Sequence, residues 1–264
     1  MIRDSTPRKI QCHNLLAVKD TSFSDWLTAL DQRHLANLRP SEVSRALRSL
    51  SSCYVERRSK LAHGGALNTP GKRAAFALFY GPVHFSVTRE IVRAIDRARY
   101  VAHILDLGCG TGAAGAAWAV ESGRSSINGV DRHPWAVSEA SWTYRQFGIS
   151  GYAGQGDMIR APIRGRKGHG ILAAYSINEI DDDARTPLLT RLVEAREQGA
   201  HVLVIEPIAK RALAWWPEWQ EQFTAAGGRA DEWRFRIDLP ERQHLLGRAA
   251  GLNPRELTAR SLWM

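Results

Sequence analysis

The stretch "HILDLGCGTGAAGAAW", residues 103–118, decides the fold of this chain. Its first five residues are mostly apolar, the next five include three glycines, and the remainder consists almost entirely of small apolar residues. This order predicts a β-strand, a tight turn and an α-helix. Glycines in such a turn allow a ligand to approach the backbone N–H groups at the helix N-terminus, so the stretch predicts a binding turn.

The chain after residue 101 continues with alternating strands and helices. The predicted strands are "AHILDL", "SINGVD", "GYAGQGD", "HGILAAYS", "AHVLVIEP", "DEWRFRIDL" and "ELTARSLWM", and the predicted helices cover 113–122, 134–147, 184–197, 209–226 and 241–250. This alternation is typical of a Rossmann-like, doubly wound α/β sheet. The last two strands are separated by only a short helix, which favours an antiparallel strand in a seven-stranded sheet.

The first 100 residues have a helical pattern instead. Helices are predicted over 21–62, a loop over 63–73, a break at Gly81 and Pro82, and a further helix capped by Ser86. We therefore predict two domains: a basic helical domain over 1–100, and a ligand-binding α/β domain over 101–264.

The charge of the chain is concentrated in its first part. Residues 1–100 hold 17 Lys and Arg against 8 Asp and Glu, a net charge of +9, whereas residues 101–264 hold 19 of each. A basic module joined to a neutral one favours a polyanionic partner such as RNA. A basic surface that only aids solubility is the alternative.

The three cysteines, Cys12, Cys53 and Cys109, form no C-x-x-C pair, so neither a metal site nor a disulfide scaffold is predicted. No apolar run approaches the roughly 20 residues needed to cross a bilayer, and no signal-peptide segment is recognised. We expect a soluble cytoplasmic protein without a membrane partner; the oligomeric state is left open.

The glycine turn alone fits two cofactors. Residues 108–113 match G-x-G-x-x-A, the loose dinucleotide pattern, and match G-x-G-x-G equally well. Asp131, at the end of the second strand, can accept hydrogen bonds from both ribose hydroxyls of either cofactor. Asp106 favours S-adenosylmethionine, because a carboxylate attracts its cationic methionine part and repels a pyrophosphate. Asp157 can accept a hydrogen bond from an adenine amino group, with Met158 against the ring.

The motifs "DLGCGTG", "GVDRHP" and "GQGDM" resemble the first three motifs of class I S-adenosylmethionine-dependent methyltransferases. The resemblance implies S-adenosylmethionine as cofactor and a seven-stranded sheet. The residues predicted to bind it are Asp106, Gly108, Cys109, Gly110, Gly112, Asp131, Arg132, Asp157, Met158 and Tyr175.

A second resemblance extends over the whole chain. "LRPSEVSRALRSLSSCYVERR", "AAYSINEID" and "VIEPIAKR" are similar to segments of the mitochondrial small-ribosomal-subunit methyltransferase-like family and its bacterial relatives. That similarity implies association with rRNA or the small ribosomal subunit. The chain lacks the cysteine cluster that many of those relatives use for a metal or an iron–sulfur centre.

The segment after the fourth predicted strand is expected to face the transferable methyl group. It contains Tyr175, Asn178 and Glu179, which are the candidate catalytic residues. It does not match [DNS]-P-P-[YFW], which disfavours methylation of a base amine by that route. Glu179 can accept a proton, although a carboxylate stabilising a helix N-terminus is an equally good interpretation.

Basic residues on two helices and one loop are the candidate RNA contacts. Arg89, Arg93 and Arg97 are spaced by four and are expected to form one helical ridge. The others are Arg45, Arg48, Arg164, Arg166 and Lys167, the last three in a loop expected at the rim of the site. Three functions stay open: an rRNA methyltransferase, a small-molecule methyltransferase with a helical lid, and a non-catalytic ribosome-assembly factor.

Overall fold

The structure is a computed structural model that describes residues 8–12, 21–56, 67–123, 125–208, 213–236, 239–252 and 256–264. The strands among these residues are β1 (Arg8–Cys12), β2 (His103–Leu107), β3 (Ser126–Asp131), β4 (Gly151–Gln155), β5 (His169–Ala174), β6 (His201–Glu206), β7 (Arg229–Phe235) and β8 (Leu257–Trp263). They form one eight-stranded sheet with the order β1-β7-β8-β6-β5-β2-β3-β4.

All neighbouring strands pair in parallel except β8, which runs antiparallel to both β6 and β7. The predicted Rossmann-like α/β fold with an antiparallel last strand is therefore confirmed. The predicted number of seven strands is one too few, because Arg8–Cys12 adds a parallel edge strand beside β7. That segment contains only five residues, two of them charged, so its sequence does not show the alternation of a half-buried strand.

The helices are α1 (Thr21–His34), α2 (Pro40–Glu56), α3 (Pro70–Ala75), α4 (Gly81–Ala94), α5 (Ala113–Glu121), α6 (Pro134–Gln146), α7 (Asp182–Glu197), α8 (Trp216–Ala225) and α9 (Glu241–Ala249). The helices predicted after residue 101 are found, with α8 beginning later than the predicted start at 209; residues 209–212 lie outside the described part. The predicted loop over 63–73 gives way to α3 at Pro70, and its first four residues are likewise not described.

The segment around Gly81 and Pro82 differs from the sequence-based prediction. A π-helical turn, Phe76–Tyr80, joins α3 to α4, and α4 begins at Gly81 with Pro82 in its first turn. Pro82 has no N–H to donate to the Leu78 carbonyl oxygen four residues earlier, and that oxygen instead accepts a hydrogen bond from Gln243 Nε2 at 2.9 Å. Ser86 consequently lies inside α4, buried, and does not cap a helix.

The N-terminal helices and the α/β part share one hydrophobic core. Helix α4 packs along α5, and the rings of Trp26 and Phe85 contact the Phe147 ring at 5.4 and 5.0 Å between centroids. On α6 the fully buried Glu139 binds Arg33 Nε at 3.0 Å and His34 Nε2 at 2.7 Å, both at the end of α1. The packing therefore fixes the helices of residues 21–94 against the sheet domain; the division at residue 100 stays a prediction.

The sheet order creates a switch point beside β2. From β2 the chain proceeds outward to β3 and β4 on one side, and returns to β5 and β6 on the other. Connections that diverge in this way leave a crevice at the carboxyl ends of the central strands, where ligands of open α/β sheets bind. The glycine turn follows β2 and the segment 175–179 follows β5, so both line this crevice.

Candidate functional site

The glycine turn after β2 adopts a conformation that requires its glycines. Gly108, Gly110 and Gly112 all have positive φ angles, of 70°, 51° and 74°. A Cβ atom on Gly108 would lie 2.6 Å from the Ser176 Cβ, and one on Gly112 would lie 2.7 Å from the Tyr144 ring. The turn therefore combines left-handed backbone with close approach, which only glycine permits at these positions.

Asp131 at the end of β3 holds this turn. Its Oδ2 accepts a hydrogen bond from the Gly110 N–H at 2.9 Å, and its Oδ1 accepts one from the His133 N–H at 2.8 Å. A carboxylate has about four acceptor positions, so about two remain directed into the crevice. This arrangement fits a ribose diol, which presents two O–H donors.

Asp106 lies behind the turn, outside the open crevice. Its side chain is 1% exposed, and it accepts a hydrogen bond from the Gly115 N–H at the start of α5. The Tyr144 hydroxyl lies 3.5 Å from its Oδ2. Burial, and then the Asp131 charge, raise the pKa of Asp106 to about 7. The carboxyl group thus holds the first turn of α5, and its predicted role in binding the cofactor stays a prediction.

Asp157 follows β4 at the far side of the crevice. Its Oδ2 accepts a hydrogen bond from Arg132 Nη2 at 2.8 Å, and its Oδ1 accepts one from the Ile159 N–H. Met158 is buried, and its Sδ lies 3.3 Å from where a Gly108 Cβ would stand. Arg132 thus joins the end of β3 to Asp157 after β4, and Met158 lies against the glycine turn.

The segment after β5 forms the opposite wall. Tyr175 has a φ of 59°, the one positive φ found at a residue other than glycine in the described part of the chain. The Ser176 hydroxyl donates to the Leu107 carbonyl oxygen at 2.9 Å, which ties this segment to the end of β2. The Asn178 N–H donates to Oε1 of the buried Glu206 at 3.2 Å. A strained residue held by two neighbouring strands is typical of a functional site.

Glu179 faces the crevice from a three-residue 3₁₀ turn, Ile177–Glu179. Its side chain is exposed to solvent, yet protein surrounds it closely enough that loss of hydration raises its pKa to about 7, with repulsion from Asp131 as the second cause. Glu179 follows β5 and Asp131 ends β3, so both lie at the carboxyl ends of the strands. Helix α7 begins later, at Asp182, so Glu179 does not stabilise its first turn.

An aromatic cluster from the N-terminal segment covers this wall. The His84 ring stacks on Tyr175 with centroids 3.9 Å apart and planes 12° apart, and Phe76 and Tyr80 lie 6.1 and 5.9 Å from His84. Phe76 also approaches the glycine turn, 3.6 Å from where a Gly110 Cβ would stand. Burial lowers the pKa of His84 to about 3, so this ring is neutral.

No motif in the sequence marks Phe76, Tyr80, His84 or Ser176 as residues of the site. The available signal for the three aromatic residues is their spacing of four in "FALFYGPVH", which places them on one helix face. It gave no indication of which strand the aromatic residues would meet.

The predicted RNA contacts lie on α2, on α4 with the turn that follows it, and in the loop between β4 and β5. Arg45 and Arg48 are exposed on α2, opposite the buried Val43 and Leu47. Arg93 binds Glu90 at 3.1 Å and Glu121 at 2.8 Å. Arg89 lies 3.6 Å from Glu90 and packs over the rings of Phe23 and Phe85.

Arg97 and the basic loop before β5 lie elsewhere than the sequence predicted. Helix α4 ends at Ala94, and Arg97 belongs to a 3₁₀ turn, so the three arginines do not form one ridge. The loop with Arg164, Arg166 and Lys167 leads from the carboxyl end of β4 to the amino end of β5. Its second half therefore lies at the opposite edge of the sheet from the crevice, and the predicted position at the rim is wrong for Arg166 and Lys167.

Within the described ranges, no cluster of three or more His, Cys, Asp or Glu side chains is arranged to hold a metal ion. Among the same residues, no helix is both long and apolar enough to span a bilayer. The tryptophans Trp215, Trp216 and Trp219 are buried in a hydrophobic cluster with residues of the sheet.

Comparisons with known proteins agree with this geometry. Residues 104–199 match the family model described as a methyltransferase domain. Three similar solved structures are the mitomycin 7-O-methyltransferase MmcR (17% identity, 90% of this chain and 71% of that chain, TM-score 0.50), an S-adenosylmethionine-dependent methyltransferase from Clostridium acetobutylicum (23%, 47% and 50%, 0.38) and the YcgJ protein from Bacillus subtilis (14%, 67% and 96%, 0.44). The comparison with curated proteins gave no match.

Proposed function

We propose that this chain, which carries a class I S-adenosylmethionine-dependent methyltransferase domain, methylates RNA. Its cofactor is S-adenosylmethionine. The substrate class proposed is rRNA of the small ribosomal subunit. Tyr175, Asn178 and Glu179 form the acceptor side of the site, and Asp131, Asp157 and the glycine turn hold the cofactor. The observation that carries the chemistry is Glu179, a crevice carboxyl group with a pKa of about 7.

Bound S-adenosylmethionine supplies a methyl group on a cationic sulfur, and that sulfur keeps the bonding electron pair when an acceptor attacks in line. The chain's own contribution is to position the acceptor and to receive its proton. A general base works best when its pKa lies near the working pH, which Glu179 satisfies. An acceptor that carries a proton, such as a ring N–H, an amine or a hydroxyl group, therefore fits this site.

The other groups around Glu179 are poorer proton acceptors. The His84 ring has a pKa of about 3, so it is a very weak base at neutral pH. Burial, and then the charge of Glu206, raise the pKa of Tyr175 above its ordinary value, so its phenol stays protonated. The Glu206 carboxylate is buried and engaged by the Asn178 N–H. The Tyr175 and His84 rings stack on each other, so at most one face of each is left for a planar base.

Charge supports RNA as the substrate class. The net +9 of the chain resides entirely in residues 1–100, and Arg45 and Arg48 present their guanidinium groups to solvent on α2. A phosphate backbone attracts such a surface without regard to sequence. The similarity of residues 38–58, 173–181 and 204–211 to the small-ribosomal-subunit methyltransferase-like family points to the same class.

The test is transfer of a radiolabelled methyl group from S-adenosylmethionine to small-subunit rRNA lacking its modifications. We expect incorporation with the wild-type chain and a loss of at least about 100-fold with Glu179→Gln, the usual range for removal of a general base. Mass spectrometry of the labelled RNA identifies the nucleotide. RNA that binds the chain and accepts no label would contradict the catalytic proposal and favour the assembly-factor alternative.

A small-molecule acceptor is the second candidate, and the aromatic cover of the crevice favours it. Phe76, Tyr80 and His84 narrow the opening above Tyr175, as a lid over a compact aromatic substrate would. MmcR, to which this fold is similar, is named as a methyltransferase of mitomycin. RNA affinity that is absent at low salt, together with methylation of phenolic compounds, would select this candidate.

A further inference from the structure

A polar surface separate from the cofactor crevice lies at the amino ends of the central strands, on the opposite edge of the sheet. We infer that this surface binds the phosphate backbone of single-stranded RNA, away from the reacting atoms. The inference rests on the proposed RNA substrate and adds the place where that RNA is held. The residues concerned are Arg97, Tyr100, Arg166, Lys167 and Arg196, named here the amino-edge cluster.

Backbone pairing brings these distant residues together. The Ala102 N–H donates to the Gly168 carbonyl oxygen at 2.7 Å, which sets the segment after Tyr100 beside Lys167. Gly199, three residues after Arg196, has its would-be Cβ position 3.3 Å from the Lys167 nitrogen. Three chain segments, 96–102, 164–168 and 196–201, thus meet at one edge.

A row of histidines continues the cluster along the strand ends. His103, His169 and His201 are the first residues of β2, β5 and β6, which are neighbours in the sheet. The His103 and His169 rings lie 5.1 Å apart. Their surroundings are cationic: after burial, repulsion from Arg166 lowers the pKa of His169, and repulsion from Arg196 and then Arg97 lowers that of His201.

The cluster is accessible and retains a net positive charge. Arg97, Arg166 and Lys167 are exposed, and within the part of the chain that the structure describes no ion pair is formed by them or by Arg196. Two exposed carboxylates, Asp96 and Glu197, adjoin the four cations in sequence. Because these positively charged side chains repel one another, a polyanion that supplies negative charge is bound favourably.

Tyr100 gives the cluster a second element of nucleic-acid recognition. Its side chain is 78% exposed, the largest value among the exposed large hydrophobic residues of the described chain. Its N–H donates to the Arg97 carbonyl oxygen, so ring and guanidinium belong to one turn. An exposed aromatic ring among cations is the arrangement on which unpaired bases stack while phosphates are neutralised. This pairing of features favours single-stranded RNA over an acidic protein or a lipid surface.

The distance from the crevice separates binding from chemistry. The central strands contain five or six residues, so the two edges lie roughly 15 Å apart at about 3.3 Å per residue. RNA held here needs to pass around the sheet to reach Glu179. The cluster is therefore expected to influence RNA affinity and KM, and to leave the affinity for S-adenosylmethionine unchanged.

The experiment measures binding of a labelled single-stranded oligouridine to the full chain by fluorescence anisotropy over a series of salt concentrations. For Arg97→Ala with Arg166→Ala we expect the slope of log K against log salt to fall by about 1.4, because each single-stranded phosphate contact contributes about 0.7. At 0.1 M salt this corresponds to an affinity loss of about 25-fold. Tyr100→Ala is expected to lose at least about 5-fold, with recovery in Tyr100→Phe.

The matched control is Arg236→Ala with Arg248→Ala, which removes two exposed cations elsewhere. Equal losses in both double variants would overturn the inference, because affinity would then follow net charge alone. Unchanged RNA affinity with lost binding to phosphatidylserine-rich vesicles would overturn it in favour of a lipid surface. A wild-type chain that binds no RNA at low salt refutes the proposed function itself. Normal wild-type binding with an unaffected amino-edge variant refutes only this inference.

Discussion

Replacement of Asp131 by asparagine is expected to weaken the binding of S-adenosylmethionine by about 30-fold. The carboxylate already accepts hydrogen bonds from the Gly110 and His133 N–H groups, and has about two acceptor positions left for the ribose hydroxyls. Asparagine provides only one oxygen. Its amide NH₂ group would face either a backbone N–H or a ribose O–H, and two donors repel each other.

The magnitude follows from the two ribose hydrogen bonds. A hydrogen bond to a charged group contributes about 1.5–3 kcal/mol, and a neutral acceptor gives about half of that. Weakening two such bonds by about 1 kcal/mol each costs about 2 kcal/mol, which corresponds to about 30-fold in the dissociation constant.

Isothermal titration calorimetry with S-adenosylmethionine measures this change without a methyl acceptor. The control is Asp31→Asn, an identical change in a residue that binds Arg242 at 2.9 Å, distant from the crevice; it should leave the affinity unaltered. A ligand lacking the ribose 2′-hydroxyl separates direct contact from a distorted turn. Wild-type affinity should fall with that ligand, and the variant's affinity should fall much less.

The assignment of Asp131 to the ribose hydroxyls is refuted if Asp131→Asn retains wild-type affinity while remaining folded. It is also refuted if both proteins discriminate equally against the 2′-deoxy ligand, because the ribose would then contact another group.

Four further predictions concern the same crevice and its support. Methyl transfer should rise about tenfold between pH 6 and pH 8 as Glu179, with its pKa of about 7, loses its proton; this rise should disappear in the residual activity of Glu179→Gln. The same raised pKa means that the folded state retains this proton at pH values where the unfolded chain has lost it. The free energy of unfolding therefore falls as pH increases from about 4.5 to 7. Chemical denaturation should show Glu179→Gln gaining stability relative to wild type over that range. Gly112→Ala should lower the free energy of unfolding by about 3 kcal/mol, because the added methyl group meets the Tyr144 ring and the φ of 74° is strained. Removing Arg33 and His34 together should cost about 3–5 kcal/mol by leaving the carboxylate of Glu139 buried without either of its partners, whereas Glu139→Ala should cost less because Arg33 is 38% exposed and reaches water.

Each of these has a distinct contrary outcome. A pH profile that persists in Glu179→Gln assigns the titration to another group. A Gly112→Ala protein of wild-type stability means that the turn relaxes without loss. Equal costs for the loss of Arg33 with His34 and for Glu139→Ala mean that burial of Glu139 is not what makes these contacts important.

Local pattern was sufficient for most of the α/β part. The glycine turn, Asp131 and Asp157 could be placed from sequence because each follows an apolar strand, and parallel strands end at a common edge. The same logic located Tyr175 and Glu179 after β5. It failed for β1, whose five residues carry no alternation, and for α4, where proline in the first turn was interpreted as a break.

The sequence by itself determined the fold class, the cofactor turn and the location of the net charge, because these depend on spacing within single elements. Only the tertiary structure decided that Asp106 contacts Tyr144 on α6, that His84 stacks on Tyr175, and that the segments holding Arg97 and Arg166 meet at the far edge. The residues joined in this way lie up to about 90 positions apart. These contacts depend on which strands become neighbours and on which end of a strand a loop returns to, and no local periodicity records either.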